Sequence, residues 1–194
     1  VIQERKQTYE NSPYGDSEEF IQDIIFPKPH PYNWQTIGYE SDIQKAKLSE
    51  TIKFHQNYYV PSNSSLAISG NFNSKQTIKW LEQYFGNIKS NKINSYNNKP
   101  LISSLKKNTF HEMIGESPAT LPKLIIRWPT NSHIFSNNEP ELDFLSTILG
   151  DGIGSRLYQK LITKTQLAQS LEVTHYSNEL AGEFDISINI KQEI

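Results

Sequence analysis

Apolar positions in the first half of the chain recur mostly at helical spacing. Phe20, Ile21, Ile24 and Ile25 lie on one face of a helix predicted over Ser17–Phe26, with Asp16 or Ser17 as its cap. Val1–Glu10 resembles the tail of a helix, ended by Asn11-Ser12-Pro13-Tyr14-Gly15. The run Pro27-Lys28-Pro29-His30-Pro31 stops the second helix, because proline lacks the N–H and restricts the residue before it. Tyr32–Glu40 then reads as an aromatic-rich loop. A helix is expected over Leu48–Tyr59, with Ser49 as cap, Ile52 and His55 on one face, and Pro61 closing it. Ser65–Ser69 reads as a short strand broken by Gly70-Asn71. Ser74–Phe85 is amphipathic, with Ile78, Leu81 and Phe85 on one stripe and Gly86 at the end.

The pattern changes after residue 86. Residues 87–107 are rich in Asn, Lys and Ser and read as a linker. Beyond them Thr109–Gly115 and Lys123–Trp128 are strand candidates, and Glu139–Leu149 a helix with Pro140 in its first turn. The run Gly150-Asp151-Gly152-Ile153-Gly154 reads as a turn, with Ser155 capping a helix from Arg156 to about Lys164. Leu171–Tyr176 and Glu183–Ile190 alternate as an antiparallel pair around Asn178–Gly182. Both halves mix helix and strand, so the expected class is α+β.

Composition narrows the function. The 194 residues carry 19 Lys+Arg against 21 Asp+Glu, which excludes a strongly basic nucleic-acid binder on charge alone. With 10 Tyr, 9 Phe and 3 Trp, the chain has the aromatics of a folded protein. Cys is absent, so disulfide frameworks and thiolate zinc sites are excluded. No apolar run is long enough for a membrane-spanning helix. The chain begins at Val1, its one Met is Met113, and it stops beside an alternating run, which together predict a piece of a longer protein.

Local chemistry is sparse. His30, His55, His111, His133 and His175 include no pair at i, i+3 or i, i+4, the spacing that points two rings at one ion on a helix. His111 and Glu112 are adjacent on an expected strand and face opposite sides. His30, between prolines, reads as a packed or solvated loop residue. There is no GxSxG elbow. The Gly150–Gly154 run lacks the Lys of a phosphate loop, and reads instead as a helix junction needing positive φ.

A set of motifs, taken in chain order, resembles the insulinase-like (pitrilysin, M16) metallopeptidases. They are Val1-Ile2-Gln3-Glu4-Arg5 with Asn11–Gly15, His30-Pro31-Tyr32 through Ile37-Gly38, and Asn57-Tyr58-Tyr59-Val60-Pro61-Ser62-Asn63. Then follow Leu66–Phe72, Tyr84-Phe85-Gly86, Ile148–Gly152 and Ser155-Arg156-Leu157-Tyr158-Gln159. The resemblance implies an α+β fold of the LuxS/MPP-like metallohydrolase kind, with antiparallel-rich sheets backed by helices. It divides the chain into the back half of a first domain (residues 1–90), a linker (91–107) and the front half of a second domain (108–194). The alternative is one C-terminal-type module over 1–194.

The chemistry the resemblance implies is zinc-dependent peptide hydrolysis, with zinc in the parent protein and Glu4 as the third ligand. HxxEH, which supplies two His ligands and the general base, is missing, so no zinc is expected on this chain alone. The family's run LRxxxQLxY places an Arg and a Tyr against the substrate backbone. Here Ile162 stands for the Arg and Gln169 for the Tyr. The expected partners are a peptide or protein substrate and a second M16 subunit carrying the Arg/Tyr pair. A homodimer through exposed strand edges, Ser65–Ser69 or Leu171–Ile190, is also expected. The other reading is a fragment of a non-catalytic M16-like partner or core subunit, serving peptide binding or assembly. The Asn/Lys/Ile bias is that of an AT-rich bacterial genome, and export of such family members points to the periplasm for the parent.

Overall fold

The computed structural model describes residues 1–89, 119, 121–134 and 136–191. The chain forms two compact units, one of Val1–Glu40 with Asn98–Ile194, the other of Ser41–Asn97. The expected linker and the Thr109–Gly115 strand with His111 lie outside the described residues.

In the first unit, α1 (Ile2–Arg5) passes directly into a π-helical turn, Lys6–Glu10. Helix α2 runs over Gly15–Ile25. It starts two residues before the expected Ser17, because Tyr14 turns the chain with a φ of 59°. The Ser17 hydroxyl donates back to the Tyr14 carbonyl at 2.6 Å and caps nothing ahead of it. After α2 the chain makes a short 3-10 turn, Pro31–Asn33, within the expected loop.

The sheet has β1 (Lys123–Thr130), β2 (Ala168–Ser177) and β3 (Gly182–Ile190). Its order is β1-β3-β2, with both neighbours antiparallel to β3. The hairpin expected from the two alternating runs is therefore present, and β3 is its inner strand. The Thr130 end of β1 pairs with Gly182, and Pro129 is tolerated because β1 is an edge among the described strands.

Period-two alternation gives the sheet two unlike faces. Phe184, Ile186 and Ile188 of β3 share one with Leu124, Ile126 and Trp128 opposite them on β1, and with Leu171, Val173 and His175 on β2. Helix α6 (Glu139–Gly150) lies on the β2 side of this face, where Asp143 meets His175. A Cβ on Gly150 would fall inside the van der Waals radius of Val173, so only glycine lets the end of α6 approach β2 this closely. The expected junction follows, with Gly152 at a φ of 72°. The Ser155 hydroxyl donates to the Gly152 carbonyl at 2.9 Å, so it closes the turn and does not cap the next helix. That helix widens into a π-helical segment, Tyr158–Lys164.

The opposite face carries charge. Arg127 of β1 is in register with Asp185 of β3, and its Nε donates to the Asp185 carboxylate at 2.8 Å. Its Nη1 and Nη2 both reach the Glu18 carboxylate of α2, the second at 3.2 Å. Glu183 lies 3.4 Å from Nη1. Burial would lower the Arg127 pKa, but the bonds to Glu18 and Asp185 outweigh it and hold the group further above its ordinary value. Beside this cluster sits a small apolar core of Ile25, Phe26 and Ala181, flanked by Ile21 and Tyr32.

In the second unit, α3 (Glu40–Lys45) begins where a loop was expected, α4 spans Leu48–Tyr58 and α5 spans Ser74–Phe85. The α4 start is held by the Lys47 N–H donating to the Glu50 carboxylate at 3.1 Å, in place of the expected Ser49 cap. Asn73 caps α5 by accepting from the Gln76 N–H at 3.1 Å. Ser65–Ser69 is not a strand: it has no ladder partner among the described residues, and extended backbone alone does not make a strand.

Arg127→Met is expected to cost about 3–5 kcal/mol of stability, because it leaves carboxylates buried against one another without their cation. Urea unfolding of the two proteins, compared at equal slope, measures this.

Candidate functional site

Glu4 projects from α1 and is exposed. Its neighbour Arg5 is the anchored residue: Nη2 donates to Glu19 of α2 at 2.7 Å and Nη1 to the Gly38 carbonyl at 3.2 Å. The Glu19 bond raises the Arg5 pKa against the opposing effect of burial. Among the described residues no group of three or more His, Cys, Asp or Glu side chains could hold a metal. Zinc in a hydrolytic site takes three protein ligands and a water. One exposed carboxylate does not fit that requirement, so the described residues do not make a zinc centre.

Ile162 and Gln169, seven residues apart, are brought together. Both line one depression of about 590 Å³ with Leu121, Gln166, Ala168 and Lys191. Two irregularities put them there. Ile162 lies in the π-helical segment, where the Thr165 N–H reaches back five residues to the Lys160 carbonyl at 3.0 Å. Gln169 is the extra residue of a β-bulge, since Ala168 pairs with Ile190 and Ser170 with Asn189. A bulge re-aims a side chain and is common next to functional sites, as are π-turns. Gln166 holds a φ of 54° at the rim. The lining has three aliphatic side chains and two amides, and Lys191 is the one cation among the lining residues. Alongside runs β2, an edge among the described strands.

The His30-Pro31-Tyr32-Asn33 motif does structural work. His30 is packed: its ring stacks on Phe26 at 4.6 Å, and its Nδ1 accepts the Tyr32 N–H at 3.0 Å. Tyr32 Oη accepts the Leu180 N–H at 3.0 Å, which ties the motif to the β2–β3 turn. Asn33 is fully buried and donates to Asp23 and to the Phe26 carbonyl, both at 2.8 Å.

Two arrangements escaped sequence reasoning. One is the Arg127 cluster; its signal was present as charges at alternate positions, Glu183 and Asp185, in a strand whose other positions are apolar. The second is His175, whose side chain is fully buried and whose Nδ1 lies 2.7 Å from Asp143. No spacing rule connects those two positions, because the contact depends on α6 folding over β2.

Apolar surface remains exposed on both units. Leu124, Ile126 and Trp128 of β1 are 43%, 37% and 46% exposed. In the second unit Leu81, Phe85 and Ile88 line a depression of about 450 Å³ with Tyr59, Val60 and Leu66. No helix among the described residues is long and apolar enough to cross a membrane.

Comparison with known proteins agrees with this fold. The zinc protease PqqE of Helicobacter pylori is 28% identical over 177 residues, covering 87% of this chain and 37% of that protein. A crystal structure of a protease from Helicobacter pylori superposes with a TM-score of 0.82 at 23% identity, covering 99% of this chain and 46% of the other. The peptidase M16 inactive domain from Pseudomonas fluorescens superposes at 0.77 and 17% identity, covering all of this chain and 47% of that one. The chain thus spans less than half the length of these relatives. These likenesses bear out the expected α+β, M16-type fold. The model of the family described as the peptidase M16 inactive domain matches residues 45–193, and the chain belongs to that family.

Proposed function

We propose that this chain is a peptide-holding module of a longer zinc-dependent M16 endopeptidase and does not hydrolyse peptides by itself. The observation that carries this reading is the meeting of Ile162 and Gln169 in one depression beside β2, an edge among the described strands. An extended peptide can add to such an edge by main-chain hydrogen bonds, with its side chains read by adjoining pockets. The aliphatic lining residues and the Gln166 and Gln169 amides suit binding. They offer neither a nucleophile nor a general base. Ile162 also lacks the charged donors that a guanidinium would aim at a carbonyl or oxyanion.

Under the same reading Glu4 is one carboxylate contributed to a metal centre whose other ligands lie outside these 194 residues. The parent is then the zinc-bearing chain, and a second M16 subunit supplies the Arg and Tyr that Ile162 and Gln169 replace. The reading as a non-catalytic partner or core subunit differs in one respect: there Glu4 serves no metal. Residues 1–90, 91–107 and 108–194 stand as the proposed back half-domain, linker and front half-domain. The periplasm is the proposed location of the parent.

Fluorescence anisotropy with an extended labelled peptide tests the holding role. The chain is expected to bind the peptide and leave it intact. Ile162→Arg combined with Gln169→Tyr should tighten binding about tenfold. A charge-assisted hydrogen bond contributes about 1.5–3 kcal/mol, and each 1.4 kcal/mol is tenfold. Absence of binding in both proteins would sink the reading, and so would cleavage by the chain alone. Isothermal titration with zinc chloride is expected to show no sub-micromolar site, and Glu4→Gln should leave the titration unchanged. A tight site abolished by that substitution would mean the chain completes its own metal centre.

A further inference from the structure

Full ionisation of the Arg127 cluster sets three carboxylates, Glu18, Glu183 and Asp185, against one guanidinium. The three are not equally served. Glu18 takes two guanidinium nitrogens, and Asp185 takes Nε at 2.8 Å. Glu183, the most buried with a side chain 7% exposed, has the 3.4 Å approach to Nη1, a nitrogen already donating to Glu18. Its other oxygen lies 3.5 Å from Gln22 Nε2, at the limit of a hydrogen bond. The Gln22 Oε1 atom is buried and has no partner.

Protonation of one carboxyl relieves the surplus charge. If Glu183 binds a proton and the Gln22 amide makes a half-turn, the Glu183 O–H donates to Gln22 Oε1. The cluster's net charge falls from two negatives to one, and the amide exchanges its long bond to Glu183 for one from the carboxyl O–H, with Nε2 taking the position Oε1 leaves. We infer that Glu183 is a buried proton-binding position, and that its proton strengthens the docking of α2 on the sheet.

The groups around this carboxyl come from every packed element. They are Glu18 and Gln22 of α2, Arg127 of β1, Asp185 of β3, and Tyr176 of β2, in register with Glu183. Burial raises the Glu183 pKa. Arg127 opposes this, and the charges of Glu18 and Asp185 add to it. A carboxyl with a raised folded-state pKa binds its proton more readily folded than unfolded. Its contribution to stability is complete below the unfolded value and is lost as pH rises through the folded value. Deprotonation also sets a third negative charge beside Glu18, so the strain falls on the contact that holds α2.

Carbon-detected NMR of the 194-residue chain tests this, with the Glu183 carboxyl resonance assigned through Glu183→Gln. The expected titration midpoint lies above the ordinary carboxylate range. Amide exchange in α2, corrected for intrinsic rates, should slow as pH falls through that midpoint. Glu183→Gln, a neutral stand-in for the protonated side chain, should fold and should remove this response. In Gln22→Met the midpoint should fall, because the proton loses its acceptor. A wild-type midpoint in or below the ordinary range overturns the inference. So does a midpoint that rises in Gln22→Met, since Gln22 would then be donating to the ionised carboxylate. An α2 response that persists in Glu183→Gln overturns it as well.

Discussion

One arginine joins the elements of the first unit. Arg127 stands on a strand that is an edge among the described ones, yet its guanidinium bonds across the sheet to Asp185 and outward to Glu18, so strand register and helix docking are set by the same five-donor fork. The next residue of α2, Glu19, continues the connection by holding Arg5 beside Glu4. The apolar core next to this cluster is small, with Ile25, Phe26 and Ala181 at its centre. Buried ion pairs are a weak source of net stability, because desolvation consumes most of the attraction. Their use here is geometric: a guanidinium on β1 has few ways of meeting Glu18 of α2 together with Glu183 and Asp185 of β3, so it restricts how the three elements fit together.

Elements governed by local rules were legible in the sequence. Helix α5 was found to the residue because Ile78, Leu81 and Phe85 keep helical spacing and Gly86 follows its last turn. The β2–β3 hairpin was found because both strands alternate. Capping was misjudged at Ser17, Ser49 and Ser155. Serine hydroxyls bond equally well to carbonyls behind them, and at Ser17 and Ser155 they do. Ser65–Ser69 has strand-like composition, but a strand needs a neighbour to complete its hydrogen bonds. The positions that meet in the Ile162–Gln169 depression were named through resemblance. Their proximity depends on a π-helical segment and a bulge, and neither has a pattern that residue spacing discloses.

The three residues named through resemblance differ in setting. Glu4 is an exposed carboxylate on a short helix whose placement depends on its neighbour Arg5. Ile162 and Gln169 are held by the sheet and the segment leading into it. A lone carboxylate needs companions to hold a metal, whereas a sheet edge with an adjoining pocket is the kind of surface to which an extended chain can add. The exposed leucine, isoleucine and tryptophan of β1 belong with this picture, since a patch of that kind on a sheet face is the usual mark of a surface that meets something.

The placement of β3 between its neighbours also orders assembly in time. Strands β2 and β3 are joined by a short turn, so their pairing closes a small loop, an event on the order of 1–10 μs for a hairpin. Strand β1 must instead find β3 after α6 and the π-helical segment have been threaded between them, a much larger loop with a higher entropic cost. Until it arrives, one side of β3 stands with unpaired amides and carbonyls, and Glu183 and Asp185 lack their cation. Those charges are themselves a guard: two carboxylates on a bare edge repel another copy of the same edge during the interval in which it is most open to mispairing.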